Sequence, residues 1–213
     1  DYKSSKVPSI LRKYTGFFLC KDRASRFRFI FCSRTKTSKT QLHAFKQFAA
    51  FMFKNNHYVR HINFDGGGEF VAQEMLDYLG SQFIDYTFTN TDTPQQNSIA
   101  ERDIQTVSDK SDAQLQGMQA PDQFWDLSSI HVVGIDNCLI ESRHPTFPPL
   151  EWVTGSRVSM ARYQLPWFCV VFCLRTDRLK GESRKARPGL FVGFPQHQRG
   201  IMAYIPALHR LVA

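Results

Sequence analysis

The chain begins as alternating aromatic, aliphatic and polar positions. Residues 14–32, YTGFFLCKDRASRFRFIFC, form two arms rich in aromatic and β-branched residues around a polar turn at Asp22–Arg26. That pattern predicts two strands joined by a short turn. Over residues 38–55 the period changes: Leu42, Phe45, Phe48, Ala49 and Met52 recur at three-to-four spacing, which predicts a helix, with Ser38 able to cap its start. YVRHINF (58–64) then reads as a strand, VAQEMLDYLGS (71–81) as a short helix ended by Gly80, and FIDYTFT (83–89) as another strand. Residues 98–117 and 121–142 read as helices. The order β-β-α-β-α-β-α-α predicts helices covering a mixed sheet, an α/β layer architecture.

Past Pro145 the texture changes. HPTFPPLEW is a Pro-rich connector, and from Trp167 short apolar runs (WFCVVFCL, GLFVGF, IMAYI, HRLVA) alternate with turns, predicting a small, separate β-unit. No run of 18 apolar residues occurs, so no membrane-spanning helix is predicted. The start, DYKSSKVPSI, shows no signal or transit pattern and no initiator Met, so upstream sequence is expected.

Charge sharpens this outline. The net charge is +8, but residues 1–60 carry 14 Lys/Arg against 2 Asp/Glu, residues 61–154 carry 3 against 15, and residues 155–213 carry 10 against 2. A basic first block and tail around an acidic middle suggest a polyanion partner together with a cation site. The alternative is that the blocks are faces whose charges cancel in space. Five cysteines without a CxxC pair read as reduced, mostly buried thiols. His57 and His61 have H-x3-H spacing with no cysteine pair to complete a zinc site.

Two stretches carry candidate chemistry. In HINFDGGGEF, Asp65 closes a strand and three glycines follow; alone, this is a turn or half of a metal site. In TDTPQQNSIAERD, Asn97 or Ser98 can cap a helix with Glu101 in its first turn; Ser98-x-x-Glu101 is either a capping box or the setting of a ligand. Thirty-five residues separate Asp65 from Glu101.

Together these stretches resemble the integrase of copia-type retrotransposons, related to retroviral integrases. FFLCKDRASRFRFIF is similar to that family's second and third strands. PDQFWDLSSIHVVGIDNCLIESRHPTFPPLEW resembles its later helix and T-P-x-E-x-W-like connector, and RKARPGLFVGFPQHQRGIMAYIPALHRLV its β-rich tail. The resemblance implies an RNase H-like mixed five-stranded sheet flanked by helices over 1–118, a helical extension and connector over 119–160, and a small SH3-like unit over 161–213. It implies a D-D-E triad at Asp1, Asp65 and Glu101 holding two Mg2+ or Mn2+ ions. Asp22 is the alternative first carboxylate and otherwise a turn residue. With Asp1 first, the chain would start partway through a central strand.

The implied reactions are processing of 3′ DNA ends and their joining to target DNA. The implied partners are double-stranded DNA and further copies of the chain. The implied setting is the nucleus, with a cytoplasmic particle before import. Gln95, Gln96, Asn97 and Arg102, with Arg184, Lys185 and Arg187 in the tail, are the implied DNA contacts; for the first three, loop and cap roles are equally open.

Four positions depart from the family pattern. D-N-G-G-E-F is Asp65-Gly66-Gly67-Gly68-Glu69-Phe70, and N-G-V-A-E is Asn97-Ser98-Ile99-Ala100-Glu101. The basic K-N-R after the Glu is Asp103-Ile104-Gln105, and the Gly-Pro after the first Asp is Ser4-Ser5. Asp103 is thus expected to place a carboxylate on the DNA side of the helix. These departures support a second reading, an inactive nucleic-acid-binding remnant; a third is another RNase H-like nuclease.

Overall fold

The computed structural model describes residues 2–64, 72–88, 94–140, 146–159, 165–175, 185–195 and 200–213, with the backbone alone for 94–100. The predicted strand pair is an antiparallel hairpin, β2 (Gly16–Lys21) and β3 (Arg28–Ser33), with β1 (Tyr2–Ser4) on the far edge of β2. β1 passes so close that a Cβ at Gly16 would lie 2.3 Å from the Lys3 carbonyl oxygen, so only glycine fits there.

Alternation divides the hairpin into two faces. Phe17 opposes Cys32 and Leu19 opposes Ile30 on one face; Phe18 opposes Phe31 and Cys20 opposes Phe29 on the other. The second face is covered by α1 (Ser38–Lys54), which buries Phe45, Phe48 and Met52 as its spacing predicts; Ala44 is buried as well, while Leu42 and Ala49 are half-buried. The cap is Thr37, not Ser38: the Thr37 side chain accepts from the Thr40 N–H at 3.3 Å. Thr37→Ala is therefore expected to lower stability by about 1 kcal/mol in denaturant unfolding, with Ser38→Ala near neutral. The reverse ranking would return the cap to Ser38.

β4 (His61–Phe64) and β5 (Asp85–Phe88) are parallel and joined through α2 (Gln73–Ser81). Gly80 lies inside the last turn of α2, and the chain reverses at Phe83, which has a φ of 54°. The five strands are thus present, but among the described residues their ladders form a three-stranded and a two-stranded sheet rather than one. β1, three residues long, pairs with β2 only.

The other hairpin face is covered by α3 (Pro94–Gly117) and α4 (Trp125–Asp136), the latter entered through a 3-10 turn at Asp122–Phe124. Small side chains let these helices approach: Ser129 Oγ is 3.2 Å from Ser111 Oγ, and Ser128 Oγ donates to the Ser111 carbonyl at 3.1 Å. A short helix, α5 (Pro149–Thr154), interrupts the Pro-rich connector.

The tail is a four-stranded antiparallel sheet, β6 (Val170–Leu174), β7 (Ala186–Gly193), β8 (Met202–Ile205) and β9 (Arg210–Val212). Its Trp167, Val192 and Tyr204 join Phe17, Leu19, Phe124 and Trp125 in one apolar cluster. Phe124 meets Tyr204 edge-on at 5.1 Å and Phe168 at 4.9 Å. The β-unit therefore shares a core with the helices instead of carrying a separate one. No helix of the described residues is long and apolar enough to cross a membrane.

Candidate carboxylate site on the long helix

α3 starts at Pro94, four residues earlier than the sequence predicts. Proline suits the first helical position because the N–H it lacks would be unsatisfied there. The early start overturns the capping-box reading and the placing of Glu101 in the first turn. Asn97 and Ser98 lie inside the helix, and Glu101, eighth in it, is more than a turn from the orphan amides. Glu101 is exposed, as is Arg102 beside it. Gln95, Gln96 and Asn97 lie in the first turn of α3, a helical setting and not a loop.

β4 ends at Phe64; Asp65, next in sequence, lies outside the described residues, as do Asp1 and Arg184. Lys185 is exposed, while Arg187 is half-buried within β7. Among the described residues no group of three or more His, Cys, Asp or Glu is placed to hold a metal. His57 Nε2 lies 3.0 Å from the Val153 carbonyl, and His61 Nε2 2.9 Å from Asn63 Oδ1, so these rings serve local structure. All five cysteines are free; Cys32 and Cys138 are buried, and Cys20, Cys169 and Cys173 half-buried. Burial pushes the Cys20 and Cys32 thiols up, away from reactivity.

Asp22 behaves as a turn residue. Its Oδ2 accepts from the Ser25 N–H at 2.7 Å and from Ser25 Oγ at 2.6 Å, closing the hairpin turn.

Asp103 corrects the sequence reading most directly. It is 8 % exposed and points into the protein, toward the hairpin. Lys21 and Arg28 stand opposite each other in the hairpin register, on the face toward α3. Like charges so placed repel. Asp103 sits between them, 2.8 Å from Lys21 Nζ and 3.0 Å from Arg28 Nη2. On the other side of Arg28, Asp136 of α4 lies 3.7 Å from Nη1 and also 2.5 Å from Lys110 Nζ. The Asn137 amide completes the junction: its Oδ1 accepts from the Arg28 N–H and its Nδ2 donates to the Arg28 carbonyl, both at 2.8 Å, satisfying the open edge of β3.

Part of the basic first block is thus neutralised by the acidic middle block in the interior. The carboxylate that replaces a basic residue two positions after Glu101 adds nothing to an outward face. Two residues on a helix turn through about 200°, so a buried Asp103 sends Glu101 to the opposite, solvent side. Sequence reasoning missed this network, although Asp103 shares the apolar stripe of Ile104, Val107, Ser111 and Leu115.

No family model matches the chain. The chain is 26% identical, over 208 residues and 94% of its length, to the retrovirus-related Pol polyprotein from transposon TNT 1-94 of Nicotiana tabacum; it spans 15% of that polyprotein. The HTLV-2 integrase catalytic core domain, solved in complex with magnesium, superposes with a TM-score of 0.51 in its trimeric form (18% identity, 72% of this chain, 90% of that chain). The dimeric form gives 0.52 (19% identity, 73% and 92%). A chain of the simian T-cell lymphotropic virus intasome in complex with PP2A regulatory subunit B56 gamma gives 0.57 at 16% identity, covering 97% of this chain and 70% of that one. The chain is thus similar in fold to retroviral integrase catalytic cores and in sequence to a transposon Pol polyprotein.

Proposed function

We propose that this chain is the catalytic core of a copia-type retrotransposon integrase, a polynucleotidyl transferase. It would remove terminal nucleotides from the element's DNA ends and join those 3′ ends to target double-stranded DNA. The observation that carries this reading is the match to a retrotransposon Pol polyprotein across 94% of the chain.

In this reading Asp1, Asp65 and Glu101 hold two Mg2+ or Mn2+ ions. Three carboxylates supply the hard oxygen donors such ions take. Bound there, the pair would activate the attacking oxygen and neutralise the leaving one during in-line displacement. The chain's own residues do the rest. Lys21 and Arg28 grip Asp103, fixing the turn of α3 that presents Glu101 to solvent. Gln95, Gln96, Asn97 and Arg102 would meet DNA along the start of α3, and Arg184, Lys185 and Arg187 would add phosphate contacts from the tail. The three units, 1–118, 119–160 and 161–213, the nuclear setting and assembly into a homo-oligomer belong to the same proposal. The dimeric and trimeric HTLV-2 cores support the last of these.

Two departures from the family pattern count less against activity than the sequence alone suggests. Ser98 replaces a glycine inside a helix, where serine is the better former. Asp103 is compensated by Lys21 and Arg28. Gly66-Gly67-Gly68, lacking the usual Asn, still favours the inactive nucleic-acid-binding remnant.

Strand transfer into a short duplex with Mg2+ or Mn2+ separates the readings. The chain is expected to form product, and Glu101→Gln to fall to background. Equal signals from both would remove the catalytic role. DNA binding that persists in EDTA, with no transfer by the unaltered chain, would support the remnant.

A further inference from the structure

The three-stranded sheet has a second charged end, remote from the Lys21–Asp103 contact. Three segments converge there. The Ser5 N–H donates to the Thr15 carbonyl at 2.8 Å, the Thr15 N–H to the Ser33 carbonyl at 2.8 Å, and Thr15 Oγ1 to the Arg34 carbonyl at 2.9 Å. Arg34 Nε then donates to the Arg12 carbonyl at 2.7 Å, holding its guanidinium in place. The result gathers Lys3, Arg12, Lys13, Arg34 and Lys36 on one exposed end. Two rings are interleaved: the Arg12 guanidinium stands 6.0 Å from the Tyr14 ring and Lys36 Nζ 5.7 Å from the Tyr2 ring.

Among the described residues, counter-charge is scarce here: Lys3, Arg12, Lys13 and Arg34 have no carboxylate within ion-pair distance. Asp22 closes the opposite end of the hairpin. Asp126 feels Arg12 but is itself 3 % exposed, so it offers nothing to a ligand. β2 is six residues long, which sets this end about 17 Å from the Lys21–Asp103 contact. A duplex backbone carries a charge roughly every 1.7 Å along its axis, so several clustered cations displace several counterions at once.

We propose that this end of the sheet is a phosphate-backbone surface for double-stranded DNA, independent of sequence and separate from the helix face that presents Glu101. The choice of DNA rests on the integrase reading; the cationic surface does not.

The test is anisotropy of a labelled duplex of about 30 base pairs against the whole chain in EDTA, across a salt series. The triple variant Arg12→Gln/Lys13→Gln/Arg34→Gln is expected to weaken binding more than tenfold at low salt. It should flatten the log–log salt slope by about 2 to 3, equally for unrelated sequences. A Lys46→Gln/Lys54→Gln/Arg60→Gln variant, also exposed, controls for net charge and should change the slope by less than 1. Equal losses in the two triples would overturn the proposal. So would tighter binding of single-stranded RNA or of phosphatidylserine vesicles than of duplex. Strand transfer is read separately. Transfer by the unaltered chain with undiminished binding by the triple would remove the surface and keep the integrase. A binding loss with no transfer by any chain would do the reverse.

Discussion

Arg28→Met is expected to lower the free energy of unfolding by about 3 kcal/mol at neutral pH, since it breaks a buried ion pair and leaves charge behind. Among the described residues the guanidinium is the group that touches both Asp103 and Asp136, and its side chain is 8% exposed. Methionine keeps most of the stem volume, so the loss reports charge more than packing. The figure sits at the lower end for a broken buried pair, because Asp103 keeps Lys21 and Asp136 keeps Lys110. Adding Asp103→Asn to Arg28→Met should recover part of the loss, whereas Asp103→Asn alone should destabilise by leaving Lys21 and Arg28 facing each other. Denaturant unfolding of the four chains closes the cycle. A loss below about 1 kcal/mol for Arg28→Met would place the network in effectively open solvent.

The hairpin was legible in the sequence because its signal is local: aromatic alternation on both arms and a polar turn whose Asp22 and Ser25 bond each other. The charge network was not, because its partners lie 26 to 109 residues apart and no period links them. The start of α3 was misplaced for a physical reason. Ser98 and Glu101 carry real capping chemistry, but Pro94 suits the first helical position and the helix begins there. The candidate triad was legible only as a resemblance. Asp1 and Asp65 lie outside the described residues, so Glu101 alone has a place in the fold.

The tail sheet leads to the second large effect. α4 is buried nearly all round, since it lies between β3 on one side and β7 on the other. His131 occupies that layer at 6 % exposure, its Nδ1 3.0 Å from Gln114 Nε2 and its ring edge-on to Phe191 at 5.9 Å. Burial lowers its pKa from 6.5 to about 4. Between those values the unfolded chain binds a proton that the folded chain does not. Stability is therefore full above about pH 6.5, falls as the pH drops toward 4, and loses up to about 3 kcal/mol from this ring.

Buried Asp126 works in the opposite direction, its pKa being raised by burial, so the raw acid profile mixes the two. The difference between the chain and His131→Gln isolates the histidine. Glutamine can still meet Gln114 but does not titrate. The difference is expected to carry a slope of unfolding free energy between pH 6.5 and 4, whatever the variant's stability at pH 7, and the fluorescence of the neighbouring Trp167 should report the same window. An unchanged slope would mean that His131 is solvated in the native state and that its layer between α4 and β7 is open to water.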